Sequence, residues 1–78
     1  MRHFAQVNSN DTYLKKIGTA LKKRRIELNL TLVELEVRTG VNESTISKIE
    51  GGKKNITLLT LRKLAEGLES TPSDLLNI

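Results

Sequence analysis

The segment Thr31–Glu50, TLVELEVRTGVNESTISKIE, leaves this chain the fewest choices of fold. Thr31 and Glu34 stand at the spacing where a threonine hydroxyl and a glutamate carboxylate each accept from the other's backbone amide at a helix start. Leu35 follows on the inner face. Gly40 comes where the helix has to end in a left-handed residue, a conformation glycine adopts without a Cβ penalty. Val41 is an apolar hinge, and Asn42 can cap a second helix on which Ile46 and Ile49 share one side. Two short helices joined by so tight a turn form a helix–turn–helix, a device that presents its second helix to a DNA major groove. Fold and function are read here from the same stretch.

The rest of the chain is organised around that motif. Leu14, Ile17, Leu21 and Leu28 make one apolar stripe, which predicts a first helix from about Thr12 to Leu28. Asn29 can close it, since asparagine tolerates the left-handed position past a helix end. Residues 51–55, GGKKN, read as a loop. A fourth helix is expected after Thr57, with Leu58, Leu61, Leu64, Ala65 and Leu68 facing inward. Thr71, Pro72 and Asp74 announce a short fifth helix, as cap, first-turn proline and first-turn carboxylate. No stretch alternates with period two for long enough to propose a sheet, and no repeat is present. The reading is an all-α, compact five-helix domain over residues 12–78. Residues 1–11 precede it as a flexible arm, because Met1 to about Asn10 shows no apolar periodicity.

Composition removes several classes of function. A chain of 78 residues makes one domain near the lower size limit for a core without staples. It has no cysteine, so disulfides and thiolate metal sites are excluded, in keeping with a reducing cytoplasm. No apolar run reaches membrane-spanning length, and the amino terminus lacks a signal-peptide core, so the expectation is a soluble cytoplasmic protein. Phe4 and Tyr13 are the only aromatics, too few for a base-stacking platform. The single histidine, His3, lies in the arm, and no nucleophile–base pair or metal-ligand spacing occurs. An enzyme, a cofactor, a metal and a small-molecule ligand are therefore not expected.

Charge points to an acidic partner. The net charge is +4, and the stretch from Lys15 to Arg25 holds Lys15, Lys16, Lys22, Lys23, Arg24 and Arg25 with no acidic residue. Lys53 and Lys54 follow the motif directly. Two basic segments bracketing a helix–turn–helix favour phosphate contact over a merely solvated face. Arg25 falls inside the apolar stripe between Leu21 and Leu28, and Glu50 lies beside Ile46 and Ile49. A buried charge calls for an opposite one, so Arg25 and Glu50 are expected to form a structural salt bridge. On the far side of the third helix stand Glu43, Ser44, Ser47 and Lys48, the candidates for base contact. Lys48 can reach guanine O6/N7 and Glu43 can accept from cytosine N4. Lys23, Asn42, Thr45, Lys53, Lys54 and Asn55 are the candidates for phosphate contact.

From Leu21 to about Leu76 the chain resembles the phage-repressor-like helix–turn–helix family, of Cro, repressor and xenobiotic-response-element type. The resemblance is carried by KKRRIELNLT before the motif, TGVNESTISKIEGGKKN through it and TLLTLRKLAEGL after it. It implies a lambda-repressor-like domain of five helices, commonly dimeric. It also implies a salt bridge at Arg25 and Glu50, DNA-facing positions at Asn42, Glu43, Ser44 and Lys48, and phosphate positions at Lys53 and Lys54. The chain departs from the family pattern at Leu32, where glutamine is usual, at Glu36, where alanine is usual, and at Ile56, where proline is frequent.

The function expected is a sequence-specific regulator that binds double-stranded DNA as a homodimer on an inverted-repeat operator. Within the family, so short a chain resembles the controller proteins of restriction–modification systems. The alternative is an antitoxin-like or adaptor protein whose main partner is another protein. One small domain reads few base pairs, so two copies are needed for useful specificity. Leu59, Leu75, Leu76 and Ile78 are the expected dimer interface, being more apolar surface than a short terminal helix ordinarily buries.

Overall fold

The computed structural model describes residues 3–77, with residues 3–9 described as backbone alone. Five helices follow in order: α1 His3–Glu27, α2 Leu32–Thr39, α3 Glu43–Glu50, α4 Leu58–Gly67 and α5 Pro72–Leu75. The last four each open on a side-chain cap. Thr31, Asn42, Thr57 and Thr71 accept from the backbone N–H of Glu34, Ser44, Thr60 and Asp74, which satisfies donors that a helix start leaves orphaned. Two of the turns between helices use left-handed non-glycine residues, Asn29 at φ 57° and Glu69 at φ 55°. The less usual one, Glu69, is held by its own N–H to the Glu66 carbonyl at 3.1 Å and by Ser70 N–H to Ala65 at 2.9 Å.

Every one of the five helices reaches one core. Ile17 and Leu21 come from α1, Leu35 from α2, Ile46 and Ile49 from α3, and Leu61, Leu64 and Ala65 from α4. Leu68 and Leu75 close it at the carboxyl-terminal end. Each such leucine or isoleucine contributes about 1.5–3 kcal/mol through removal from water. Leu28, Leu30, Leu32, Val41, Ile56 and Leu76 pack around the margin. α1 meets the carboxyl end of α3 at Gly18, where a Cβ would stand 2.6 Å from the Glu50 carbonyl oxygen. Glycine is what permits that approach. No described helix is long and apolar enough to cross a membrane.

Three expectations need correction. α1 begins at His3, not near Thr12, so backbone read as an irregular arm is helical from residue 3 onward. Helix propensity through Asn8–Asp11 is poor, but extending an established helix costs far less than nucleating one. Leu58, expected to face inward, is 83% exposed. It is the first residue of α4, and helical side chains lean towards the amino terminus, so it projects past the helix start into solvent. Leu75, expected in a dimer interface, is buried at 5% in the core of its own chain. It cannot serve as a contact surface there. Ile78, its companion in that expectation, lies outside the described residues.

Candidate nucleic-acid interface

Local hydrogen bonds set the helix–turn–helix. Glu34 N–H donates to Thr31 Oγ1 at 3.0 Å and Thr31 N–H donates to Glu34 Oε1 at 2.8 Å, so the capping box is closed on both sides. The backbone hydrogen bond from Thr31 is the main cause that holds the Glu34 carboxyl below its ordinary pKa. α2 ends at Gly40, left-handed at φ 76°, whose N–H reaches the Glu36 carbonyl at 2.7 Å. The Thr39 hydroxyl donates back to the Leu35 carbonyl at 2.8 Å and accepts from Val41 N–H at 3.1 Å, which stiffens the turn. Asn42 Oδ1 then accepts from both Ser44 N–H at 2.8 Å and Ser44 Oγ at 2.7 Å. Asn42 itself is exposed.

This frame presents α3 edge-on. Ile46 and Ile49 are buried, while Glu43, Ser44, Ser47 and Lys48 are all exposed, as an outer row on a helix of eight residues. Thr45 sits at the boundary, half-buried. The chain leaves α3 through Gly51 and the left-handed Gly52 at φ 72°, and Lys53 N–H closes the helix end on the Lys48 carbonyl at 2.9 Å. Lys53, Lys54 and Asn55 are exposed in the loop beyond, and Asn55 Oδ1 accepts from Ile56 N–H at 3.0 Å. α1 passes close by: a Cβ on Gly52 would stand 2.9 Å from Lys15 Cα. Lys15 of α1 thus approaches the loop that carries these cations, a neighbour that helical spacing does not single out from the basic run.

Lys23 lies elsewhere. At about 100° per residue it stands about 140° around α1 from Gly18, where α1 meets α3. It lines an open groove against α5 together with Lys16, Arg24, Ser70, Asp74 and Asn77. Lys15, which approaches the loop at Gly52, lines the same groove.

Arg25 and Glu50 fasten the far end of α3. Arg25 Nε donates to Glu50 Oε2 at 2.7 Å and Arg25 Nη2 to Oε1 at 2.9 Å, a two-point pairing of planar groups. Arg25 Nη1 also donates to the Leu30 carbonyl at 2.8 Å, so one side chain ties α1, the loop before α2 and the end of α3. The two side chains are 12% and 6% exposed. The hydrogen bonds it donates to Glu50 raise the Arg25 pKa against the opposing effect of burial. Arg24 is likewise turned inward, donating to the Leu68 carbonyl at 2.9 Å and the Glu69 carbonyl at 3.2 Å. Arg38 of α2 reaches the same corner, at the Gly67 carbonyl and the Glu69 carboxylate.

One contact of the site has no counterpart in the sequence reading. Glu36 reaches across from α2, and its Oε1 accepts from the backbone N–H of Glu43 at 2.9 Å. Sequence marks the position only as a departure from the usual alanine. Of the apolar residues expected at an interface, Leu59 is 60% exposed and Leu76 is half-buried at the core margin. Among the described residues no cluster of histidine, cysteine or carboxylate side chains could hold a metal ion.

A five-helix domain that seats an exposed polar helix behind a capped turn defines a class, and comparison with known proteins agrees. The chain belongs to the helix-turn-helix family, whose pattern it matches over residues 21–75. It is 37% identical over 54 residues to the HTH-type transcriptional regulator y4dJ of Sinorhizobium fredii, covering 69% of this chain and 70% of that one. Its fold is similar to that of the restriction-modification controller protein C.AhdI from Aeromonas hydrophila. That match has a TM-score of 0.77 and 31% identity, over 80% of this chain and 94% of the other. It is also similar to the controller protein C.Esp1396I, seen as a tetramer in complex with its natural 35 base-pair operator. There the TM-score is 0.75 with 28% identity, over 81% of this chain and 83% of that one.

Proposed function

We infer that this protein is a transcriptional regulator that binds double-stranded DNA sequence-specifically as a homodimer, without catalysis, in the cytoplasm. The observation that carries the reading is the exposed row Glu43, Ser44, Ser47 and Lys48 on a helix whose other side is locked into the core. Short serine hydroxyls let such a helix approach the groove floor, Lys48 offers a donor to guanine, and Glu43 an acceptor to cytosine. Lys53, Lys54 and Asn55, with Asn42 and Thr45 at the other end, are suited to phosphates on either side of the groove. The similarity to controller proteins, one of them bound to its operator, supports placing the chain in a restriction–modification operon.

Enrichment from a pool of random duplexes tests this directly. The expected product is an inverted repeat. On the enriched duplex, Lys48→Ala should weaken binding by about 1–3 kcal/mol and relax the preference at one base position. Lys53→Ala should weaken every duplex alike and flatten the salt dependence by about one unit of slope. A pool that shows no enrichment, or two variants with the same loss on enriched and random DNA, would overturn the assignment of roles.

A further inference from the structure

The leading end of α3 carries an arrangement that base and phosphate contact do not account for. A helix start is weakly positive and offers open N–H groups, so a phosphate of any sequence is attracted to it. In this chain the first two amides of α3 are already taken. Glu43 N–H donates to Glu36 Oε1 at 2.9 Å, and Ser44 N–H donates to Asn42 Oδ1 at 2.8 Å. The first of these acceptors comes from another helix and carries a full negative charge. The exposed Glu43 carboxylate stands at the same end. At the trailing end the sign reverses, with Lys48 in the last turn and Lys53 and Lys54 just beyond. The interface is therefore acidic in front and basic behind.

We propose that Glu36 is a specificity-determining residue that acts by denying the first amide of α3 to the phosphate backbone. The inference rests on the DNA-binding function above and extends it to a residue that touches no base. A duplex in the wrong register meets a carboxylate where it would otherwise find the free amide of Glu43, and like charges repel. Cationic anchoring is confined to the trailing lysines, Asn42 and Thr45 offer the leading side neutral donors alone, and the front of the helix is left for the donors of base edges, such as cytosine N4. Glu36 at the same time fixes the front of α3 to α2 through its hydrogen bond. These two contributions separate under substitution, because glutamine keeps a carbonyl acceptor and loses the charge, whereas alanine loses both.

The test compares the full chain with its Glu36→Gln and Glu36→Ala variants by fluorescence anisotropy. The probes are a random duplex of about 30 base pairs and the duplex enriched above, each at about 0.05 M and 0.3 M salt. Glu36→Gln should bind the random duplex about three- to five-fold tighter at low salt, with the gain shrinking as salt rises. Its affinity for the enriched duplex should change less, so the ratio of specific to random binding falls. Thermal melting should leave Glu36→Gln near wild type and lower Glu36→Ala by several degrees, since only alanine removes the cap. A Glu36→Gln protein that binds random DNA like wild type, or a gain indifferent to salt, overturns the proposal and leaves DNA binding intact. A wild-type chain that binds neither duplex overturns the DNA-binding reading itself, and the proposal with it.

Discussion

At the scale of single residues, the strongest commitment is the Arg25–Glu50 pair. Both groups are largely out of water, and their energy comes from mutual satisfaction more than from attraction alone. Glu50→Gln should cost about 3 kcal/mol, the low end for breaking a buried pair, because Arg25 retains the Leu30 carbonyl. A thermal melt reads this, and an unchanged midpoint would mean the charge is solvated. The pairing is legible in sequence because each member interrupts an apolar stripe, where an unpartnered charge would be untenable. Arg24 is not legible in the same way. Its acceptors are the backbone carbonyls of Leu68 and Glu69, and a carbonyl leaves no mark in a sequence. Glu36 is hidden for a related reason, since its partner is an amide on a different helix.

At the scale of helices, what sequence discloses is what neighbours within a few residues decide. Thr31 with Glu34, Gly40, Asn42, Thr57, and Thr71 with Pro72 all act across a span of four residues or fewer, so the bounds of α2 to α5 follow from them. The start of α1 and the exposure of Leu58 depend on what elongates or covers a helix, which is decided by distant chain. The seat of α3 is a case of its own. Gly18 lets α1 approach the Ile49 and Glu50 carbonyls so closely that no other residue fits. Gly18→Ala would add helix propensity to α1 and yet should lower the melting midpoint, because backbone and not a flexible side chain obstructs the Cβ. Operator affinity should fall along with it, as α3 is pushed off its seat. A variant at least as stable as wild type would show that α1 and α3 can part without cost.

At the scale of the whole molecule, the question is how two copies meet. Leu75 is committed to the core, but Leu58 and Leu59 remain exposed at 83% and 60%, and Leu76 shows at the margin. We propose Leu59 and Leu76 as the surviving centre of an isologous interface, which would set two copies of α3 about one DNA turn, roughly 34 Å, apart. Leu59→Glu should give a folded monomer by sedimentation, with operator binding much reduced. A wild type that is monomeric at micromolar concentration, or a variant that still dimerises, would refute this surface. The charges of the molecule are meanwhile divided by chemistry. Arg24, Arg25, Arg38 and Arg62, every arginine whose side chain is described, each stand within 4.0 Å of a carboxylate, and none of the lysines so described does. Arg25 is built into the architecture and Arg62 pairs at the surface, while the compact amines stand outside any such pairing. Ions in solution, or a reagent that acylates amines, therefore act on the second set and leave the Arg25–Glu50 pair in place. On the function proposed above, salt should release the protein from a polyanion without unfolding it, because grip and integrity are then written in two different kinds of nitrogen.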